Sequence, residues 1–133
     1  MSNTKYKVYS FEKLDVYTSA MNLSLKIRRV ISEFPMEERF GLSDQLRRAI
    51  DSVPSNLAEG LARAGNYDQA RFTNIAYSSM MEVVNHLNLS YELKYINEED
   101  YVDMRLSIDE IVRQLNSLYK YQVNNKKDLK NKV

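Results

Sequence analysis

Residues that break helices are scarce in this chain, which has three glycines and two prolines among its 133 residues. Between these few breakers lie long stretches rich in Leu, Ile, Met, Ala, Glu, Lys and Arg, a composition that favours helix. Pro35, Gly41 and Gly65 fall between the stretches, where connections between helices are needed. A chain with so few places to turn has to build its core from long helices, so the sequence predicts an all-α fold.

Apolar residues recur at spacings of mostly three and four in four of these stretches. This spacing keeps them on one face of an α-helix, and in the fourth stretch it is the heptad spacing that left-handed bundle packing demands. The predicted core-facing residues are, in chain order, Val16, Ala20, Leu23, Ile27, Val30 and Phe34; Leu46, Ile50, Val53, Leu57 and Leu61; Phe72, Ile75, Ala76, Ser79, Met80, Val83, Leu87 and Tyr91; and Tyr101, Met104, Ile108, Ile111, Leu115 and Leu118. Four amphipathic helices are therefore expected.

Polar residues at the expected helix starts indicate N-caps, which are Ser10, Ser43, Asn66 and Asn97. Asn66 with Gln69 three residues later resembles a capping box. Pro54 lies inside the second helix, where it removes a backbone hydrogen bond and is expected to kink the helix near Ile50. The third helix is expected to run to about Tyr95.

Short connections make consecutive helices antiparallel neighbours, so the predicted architecture is an up-down-up-down four-helix bundle. Residues 1–9 are interpreted as an N-terminal extension, residues 10–122 as the bundle, and residues 123–133 as a Lys- and Asn-rich tail. There are no cysteines, and no apolar run reaches the roughly 20 residues that span a bilayer. Since no signal-peptide segment begins the chain, we expect a cytoplasmic protein without membrane contact.

The formal net charge is only +1, so overall charge does not predict nucleic-acid binding. An up-down bundle nevertheless sorts the charges, because both termini and the second loop share one end. Cations collect at that end, namely Lys5, Lys7, Arg63, Arg71, Lys120, Lys126, Lys127, Lys130 and Lys132. Carboxylates collect at the other end, namely Glu33, Glu37, Glu38, Asp44, Glu92, Glu98, Glu99, Asp100 and Asp103. The near-neutral total is therefore expected to hide a polarised molecule.

The basic end is a candidate surface for phosphate groups or another acidic partner. Tyrosines that can stack on bases fall at the same end, namely Tyr6, Tyr9, Tyr119 and Tyr121. A second interpretation remains open, in which the acidic residues simply cap helix starts and the lysines keep a frayed tail in solution.

His86 is the only histidine and the main candidate for acid–base or metal chemistry. Glu82 lies one turn before it, but no marked nucleophile and no glycine-rich oxyanion turn accompany the pair. The spacing is one residue longer than the Glu-x-x-His pair of di-iron bundles, and a second histidine is missing. Gly60 and Gly65 lack the following Lys-Ser or Lys-Thr of a phosphate-binding loop. We expect a non-enzymatic protein with no metal, no cofactor and no small-molecule substrate.

Two polar features of the first two helices each have two interpretations. The basic pairs Arg28–Arg29 and Arg47–Arg48 are suited to nucleic acid or to a partner's carboxylates, or else form ion pairs with neighbouring acidic residues. A stripe of small and amide residues on the second helix is either a binding groove or a site of close helix packing. Its members are Gln45, Ala49, Ser52, Asn56 and Gly60.

The first helix has more apolar residues than one core contact needs. Its second apolar stripe consists of Leu14, Tyr17, Met21 and Ile31, and the third helix adds Met80, Met81 and Val84. An exposed patch of this kind often marks an interface, so self-association is expected, whereas the alternative is a thick monomer core.

The second helix also resembles the signature of a bacterial family. The run from 41 to 60 reads GLSDQLRRAIDSVPSNLAEG, and further matches are FEKLDVY at 11–17, Phe34-Pro35, and Arg71-Phe72 leading to AYSS at 76–79. These residues are similar to those of proteins encoded in intervening sequences of large-subunit ribosomal RNA genes, also called four helix bundle proteins. The resemblance covers about residues 9 to 122. Its signature positions are Arg47, Arg48, Ser52, Asn56, Glu59 and Gly60.

The resemblance implies a four-helix bundle that assembles into a five-fold ring. It also implies kinship with the accessory variability determinant of diversity-generating retroelements, a basic pentamer that binds nucleic acid and a reverse transcriptase. We therefore expect a homo-oligomer, a pentamer, that binds RNA, DNA or a nucleic-acid-processing partner. The alternative is a structural or protein-interaction module without nucleic-acid contact. The residues expected to contact nucleic acid are Arg47, Arg48, Arg63, Arg71, Lys120, Lys126 and Lys127.

Overall fold

The computed structural model describes residues 5–125, which contain four α-helices and no β-strand. The described elements are, in chain order, a 3-10 helix Ser10–Lys13, α1 Asp15–Ile31, a second 3-10 helix Met36–Glu38, α2 Leu42–Leu61, α3 Asn66–Glu92 and α4 Glu98–Asn125. The prediction of an all-α fold with four helices is confirmed.

Hydrogen bonds between α3 and α4 show that these helices run in opposite directions. Thr73, near the start of α3, donates its hydroxyl proton to Gln122 near the end of α4, with an oxygen-to-oxygen distance of 2.7 Å. Tyr101, near the start of α4, donates to the side chain of Asn88 near the end of α3. Contacts between the two helices therefore join opposite ends.

The same reversal relates the other neighbouring helices. Each helix packs on the next one along the chain, and α1 also packs on α4. The pairs that show the reversal are Gly60 with Phe72 and Ser52 with Ser79 for α2 and α3, and Tyr17 with Ala58 and Ser32 with Ser43 for α1 and α2. Both ends of the described chain and the α2–α3 connection consequently lie at one pole of the bundle.

Most of the predicted core-facing residues are buried, Leu61, Ser79, Tyr91, Tyr101 and Leu118 are partly buried, and Ile75 is exposed. Ile75 is 37% exposed, whereas its neighbour Ala76 is fully buried. Consecutive helical residues point about 100° apart, which places Ile75 at the edge of the buried face of α3. The exclusion of Ile75 corrects the sequence prediction, while the five predicted core residues of α1 and Phe34 after it are all buried.

The start of the first helix differs from the prediction. Ser10 lies in a 3-10 turn, and α1 begins only at Asp15 after Leu14. The turn is closed because the backbone N–H of Tyr9 donates to a carboxylate oxygen of Glu12 at 2.9 Å. The prediction that Ser10 is the N-cap of α1 was therefore wrong.

Two other expected caps are displaced by glycine. Gly41 precedes α2 and Gly65 precedes α3, so Ser43 lies inside the first turn and Asn66 is the first helical residue. The side-chain amide of Gln69 donates to the carbonyl of Arg63 at 2.8 Å instead of to the residue before the helix. The prediction of a capping box at Asn66 and Gln69 was therefore wrong.

The start of α4 agrees with the prediction. The Asn97 side-chain oxygen accepts a hydrogen bond from the backbone N–H of Asp100 at 2.7 Å, as an N-cap does. The helix then continues to Asn125, three residues beyond the predicted bundle boundary. Helix α2 continues through Pro54, which is itself buried.

The third helix ends three residues earlier than expected, at Glu92. Lys94 has a φ of 65°, the left-handed conformation that ends many helices. The N–H of Lys94 donates to the carbonyl of Tyr91, and the N–H of Tyr95 to that of Ser90, both at 2.9 Å. This pair of bonds is a Schellman motif, in which lysine occupies the position usually filled by glycine.

Candidate nucleic-acid interface

The antiparallel topology gathers predicted nucleic-acid contacts at the pole where the described chain begins and ends. We call this surface the terminal pole and define it by Lys5, Lys7, Arg63, Arg71 and Lys120. The first two residues lead into α1, Arg63 lies in the α2–α3 connection, Arg71 in the second turn of α3, and Lys120 near the end of α4. All five residues are exposed.

An aromatic ring positions two of these cations side by side. The guanidinium carbons of Arg63 and Arg71 lie 4.8 Å and 4.7 Å from the ring centroid of Phe72. Asp68 is the shared counter-ion, at 3.7 Å from Arg63 and 3.1 Å from Arg71. Cation–π contacts and a shared carboxylate therefore hold two exposed guanidiniums on one patch, with donor groups left over for a further anion.

Exposed tyrosines also lie at the terminal pole, including all four that the sequence singled out. Tyr6 is 69% exposed and Tyr121 is 65% exposed. The ammonium group of Lys7 lies 5.6 Å from the ring of Tyr9. Sequence reasoning missed Tyr67, which is 57% exposed. Its position directly after the α2–α3 connection was the available signal.

The terminal pole has a modest positive charge among the described residues. Six cations lie there if Lys13 is included, against the four carboxylates of Glu12, Asp15, Glu59 and Asp68. The sequence adds Lys126 and Lys127, which lie outside the described residues. The opposite pole carries the acidic residues that the topology predicts, and Asp103 there pairs with Lys26.

Arg47 and Arg48 lie in the other half of the molecule. Arg47 is fourteen residues before Leu61, the last residue of α2, which corresponds to about 21 Å along the helix axis. Both side chains bind the carboxylate of Asp44, with Arg48 at 2.9 Å. The structure therefore does not bring these two predicted residues together with Arg63, Arg71 and Lys120.

In the other basic pair, Arg28–Arg29, the first arginine forms an ion pair. Arg28 donates two hydrogen bonds to Asp51, at 2.8 Å and 2.6 Å, and a further one to Ser24. These bonds from Arg28 hold the pKa of Asp51 below its ordinary value, since they stabilise the carboxylate. Of the two interpretations of the basic pairs, ion pairing is the one observed for Arg28, Arg47 and Arg48.

The small and amide residues of α2 mostly serve packing. The hydroxyls of Ser52 and Ser79 lie 2.8 Å apart, and the amide of Asn56 donates to the carbonyl of Ser52 at 2.8 Å. Gly60 lets α3 approach so closely that a Cβ added there would lie 2.7 Å from the Cβ of Phe72. Ser52 and Gly60 therefore contact α3, while Asn56 bonds within α2.

The apolar flank of α1 is smaller than the sequence indicated. Leu14, Tyr17 and Ile31 pack partly buried against the core. Met80 is fully buried in the core and so adds nothing to the surface. Met21 remains 40% exposed, and α1 adds Leu25, which is 64% exposed and was not predicted.

His86 lies against the bundle with 9% of its surface exposed, and its Nε2 is 3.2 Å from a carboxylate oxygen of Glu82. Among residues 5–125, no three histidine or carboxylate side chains cluster in a way that would hold a metal ion. In the same part of the chain, every helix is too short or too polar to cross a membrane.

A solved structure from Bacteroides thetaiotaomicron VPI-5482 has the same fold. It is described as a protein with unknown function from the S23 ribosomal protein family, and it superimposes with a TM-score of 0.73 at 24% identity over 79% of this chain and 95% of that chain. No curated protein matches the sequence. Residues 12–117 match the family described as 23S rRNA-intervening sequence protein. This chain is therefore a member of the 23S rRNA-intervening sequence protein family, as the residues of its second helix indicated.

Proposed function

We propose that the protein is a non-enzymatic, cytoplasmic nucleic-acid-binding protein that contacts single-stranded RNA or DNA through its terminal pole. The observation that carries the proposal is the pairing of Arg63 and Arg71 on the ring of Phe72, within a pole that also exposes five tyrosines. Guanidiniums held in a fixed orientation suit phosphate oxygens.

Single strands fit this surface better than duplexes. Stacking of one base on an aromatic side chain contributes about 1–3 kcal/mol, and a duplex hides its base faces. The exposed rings of Tyr6, Tyr67 and Tyr121 offer such stacking beside the cations. Asp68 competes with phosphate for the arginines, so the predicted affinity is modest and falls with salt.

We also propose that the protein assembles with copies of itself. Five copies are the number that the family resemblance implies. Exposed Met21 and Leu25 on α1 supply an apolar contact surface. Cyclic symmetry places equivalent surfaces of all subunits on the same face of a ring. Five terminal poles would then act together, and multivalent contact would raise the apparent affinity of a long strand.

Fluorescence anisotropy with a labelled 20-nucleotide poly-U RNA tests the terminal pole. The double variant Arg63→Gln/Arg71→Gln, which keeps hydrogen-bonding groups but removes two charges, is expected to weaken binding at least about tenfold. The control is Arg29→Gln, because Arg29 is also exposed but lies near the acidic end of α1. Circular dichroism verifies that all variants remain folded.

Equal weakening by the control would contradict a localised site, and absence of binding by the wild type at low salt would remove the proposal. The second candidate function, a protein-interaction module, would then stand, because the exposed apolar residues of α1 favour it independently. Sedimentation of Leu25→Ser against wild type tests that surface, since a smaller assembly is expected for the variant.

A further inference from the structure

A cavity of about 410 Å³ lies between the end of α1, the 3-10 helix Met36–Glu38 and the start of α2. This size is within the range of cavities that bind small molecules. Its lining combines cationic, hydroxyl and apolar side chains, namely Arg28, Arg39 and Arg47; Ser32 and Ser43; and Ile31, Phe34, Pro35 and Met36. The cavity is at the acidic pole, away from the surface proposed for nucleic acid.

Two of its three arginines have incompletely compensated charge. Arg39 forms no ion pair with any carboxylate of residues 5–125, and its guanidinium carbon lies 5.3 Å from the ring of Phe40. Arg47 shares the single carboxylate of Asp44 with Arg48. One carboxylate thus serves two guanidiniums, so positive charge remains at the cavity wall.

The third arginine is compensated and acts as a fixed wall. Arg28 donates two hydrogen bonds to Asp51, which neutralises its charge. These bonds, rather than a ligand, fix its position. The electrostatic attraction for an anion therefore comes from Arg39 and Arg47.

Two serines also line the cavity. Ser32 donates its hydroxyl proton to the carbonyl of Arg29 at 2.6 Å. Ser43 is 8% exposed, and its hydroxyl at the cavity wall can donate a hydrogen bond to an anion. Ser43 also belongs to the first turn of α2, where the helix dipole favours negative charge.

The remaining wall is apolar and held in place. Phe34 is 8% exposed, and its ring centroid is 5.3 Å from that of Tyr95. The hydroxyl of Tyr95 in turn donates to Glu38 at 3.0 Å, which ties this wall to the 3-10 helix. Pro35 and Met36 extend the apolar surface outward, and Met36 is 82% exposed at the rim.

We propose that this cavity binds a phosphate monoester carried on a flat apolar body, a ligand of mononucleotide size. The phosphate would lie between Arg39, Arg47 and the hydroxyl of Ser43, while the base would rest on Phe34 and Pro35. A long polyanion is disfavoured because exposed Glu33 and Glu37, which adjoin the lining residues Phe34 and Met36 in the chain, repel extended phosphate chains. The proposal is independent of the nucleic-acid surface at the terminal pole.

Titration of the ¹⁵N-labelled protein with adenosine 5′-monophosphate, followed by NMR, tests the proposal. Saturable shifts are expected at the backbone amides of Ser43 and Arg39. Ribose 5-phosphate lacks the base and adenosine lacks the phosphate, so each is expected to bind at least about tenfold more weakly. Equal binding of adenosine, or shifts elsewhere only, would overturn the proposal.

Matched variants locate the phosphate. Arg39→Ala and Arg47→Ala are each expected to weaken binding of the monophosphate about tenfold, since each removes charge-assisted hydrogen bonds. Arg29→Ala is the control, because Arg29 is exposed beside Arg28 but does not line the cavity. The affinity of this variant is expected to stay within about twofold of wild type, because an exposed charge outside the cavity contributes little. If Arg29→Ala weakens binding as much as Arg47→Ala, the cavity is not the site.

Discussion

Replacement of Gly60 by alanine tests whether the signature of α2 exists for close packing against α3. A Cβ at this position would lie 2.7 Å from the Cβ of Phe72 and 3.5 Å from the carbonyl oxygen of Gln69. The Cβ of Phe72 is fixed by its backbone and cannot move away by a rotamer change. The two helices therefore have to separate locally to admit one methyl group.

Two opposing effects determine the size of the change. Alanine favours helix over glycine by about 1 kcal/mol. Overpacking costs about 1–3 kcal/mol, and a contact this short between two backbone-fixed carbons belongs at the upper end. The expected net result is a loss of about 2 kcal/mol in the free energy of unfolding. For a chain of this length, that corresponds to a decrease in Tm of about 7 °C.

Thermal and urea unfolding followed by circular dichroism measure this loss, at a fixed protein concentration because assembly would shift Tm. Ser55→Ala is the matched control, since Ser55 lies in the same helix but is exposed. It gains helix propensity without a clash and is expected to raise stability by a few tenths of a kcal/mol. If Gly60→Ala is as stable as wild type or more stable, the packing explanation of the signature is refuted.

Three further substitutions give separate tests by urea unfolding. Thr73→Val leaves the buried Gln122 without its hydroxyl donor and should lower the free energy of unfolding by about 1–3 kcal/mol. Adding Gln122→Leu should recover most of that loss, because the side-chain nitrogen of Gln122 already lacks a partner among the described residues. No recovery in the double variant would contradict this explanation. Lys94→Gly should raise the free energy of unfolding by about 1 kcal/mol, since glycine adopts the observed φ of 65° without strain. A lower free energy of unfolding would contradict the assignment of a Schellman motif. Asp51→Asn should cost up to about 1 kcal/mol at pH 7, because this pair is partly exposed. The pKa of Asp51 is lower in the folded state, so its contribution is complete above its ordinary value of 3.8 and lost as pH falls through the folded pKa. The difference between Asp51→Asn and wild type should therefore shrink below pH 3.8, and a constant difference would contradict this.

The fold could be predicted because the regular spacing of apolar residues in a helix can be recognised without knowing which helices pack against it. The four apolar faces follow directly from spacing. The prediction failed at Ile75, which lies beside the fully buried Ala76 but is 37% exposed. The width of the buried face depends on how the neighbouring helices pack, and the local spacing of apolar residues does not specify it.

Helix ends were less predictable because several conformations compete there. Ser43 and Asn66 have good capping side chains, yet Gly41 and Gly65 take the cap positions. The left-handed Lys94 that follows α3 carried no signal, since lysine is an unusual residue for this conformation. The next residue, Tyr95, donates to Glu38 in the α1–α2 connection, a contact that local sequence does not indicate.

The candidate site was predictable in part. Topology alone placed Arg63, Arg71 and Lys120 at one pole, since it depends only on helix order. The ring of Phe72 between two arginines was not foreseeable, because Phe72 reads from sequence as a core residue and is indeed buried. The separation of Arg47 from this pole follows from helix length.

The salt dependence of binding to a single-stranded RNA tests the terminal pole most directly. If four or five cations of one subunit contact phosphates, a plot of the logarithm of the binding constant against that of the salt concentration has a slope of about −3. The Arg63→Gln/Arg71→Gln variant should reduce the magnitude of that slope by about 1.4 for the two lost contacts. A slope near zero, or a slope unchanged in the variant, would contradict binding at this pole.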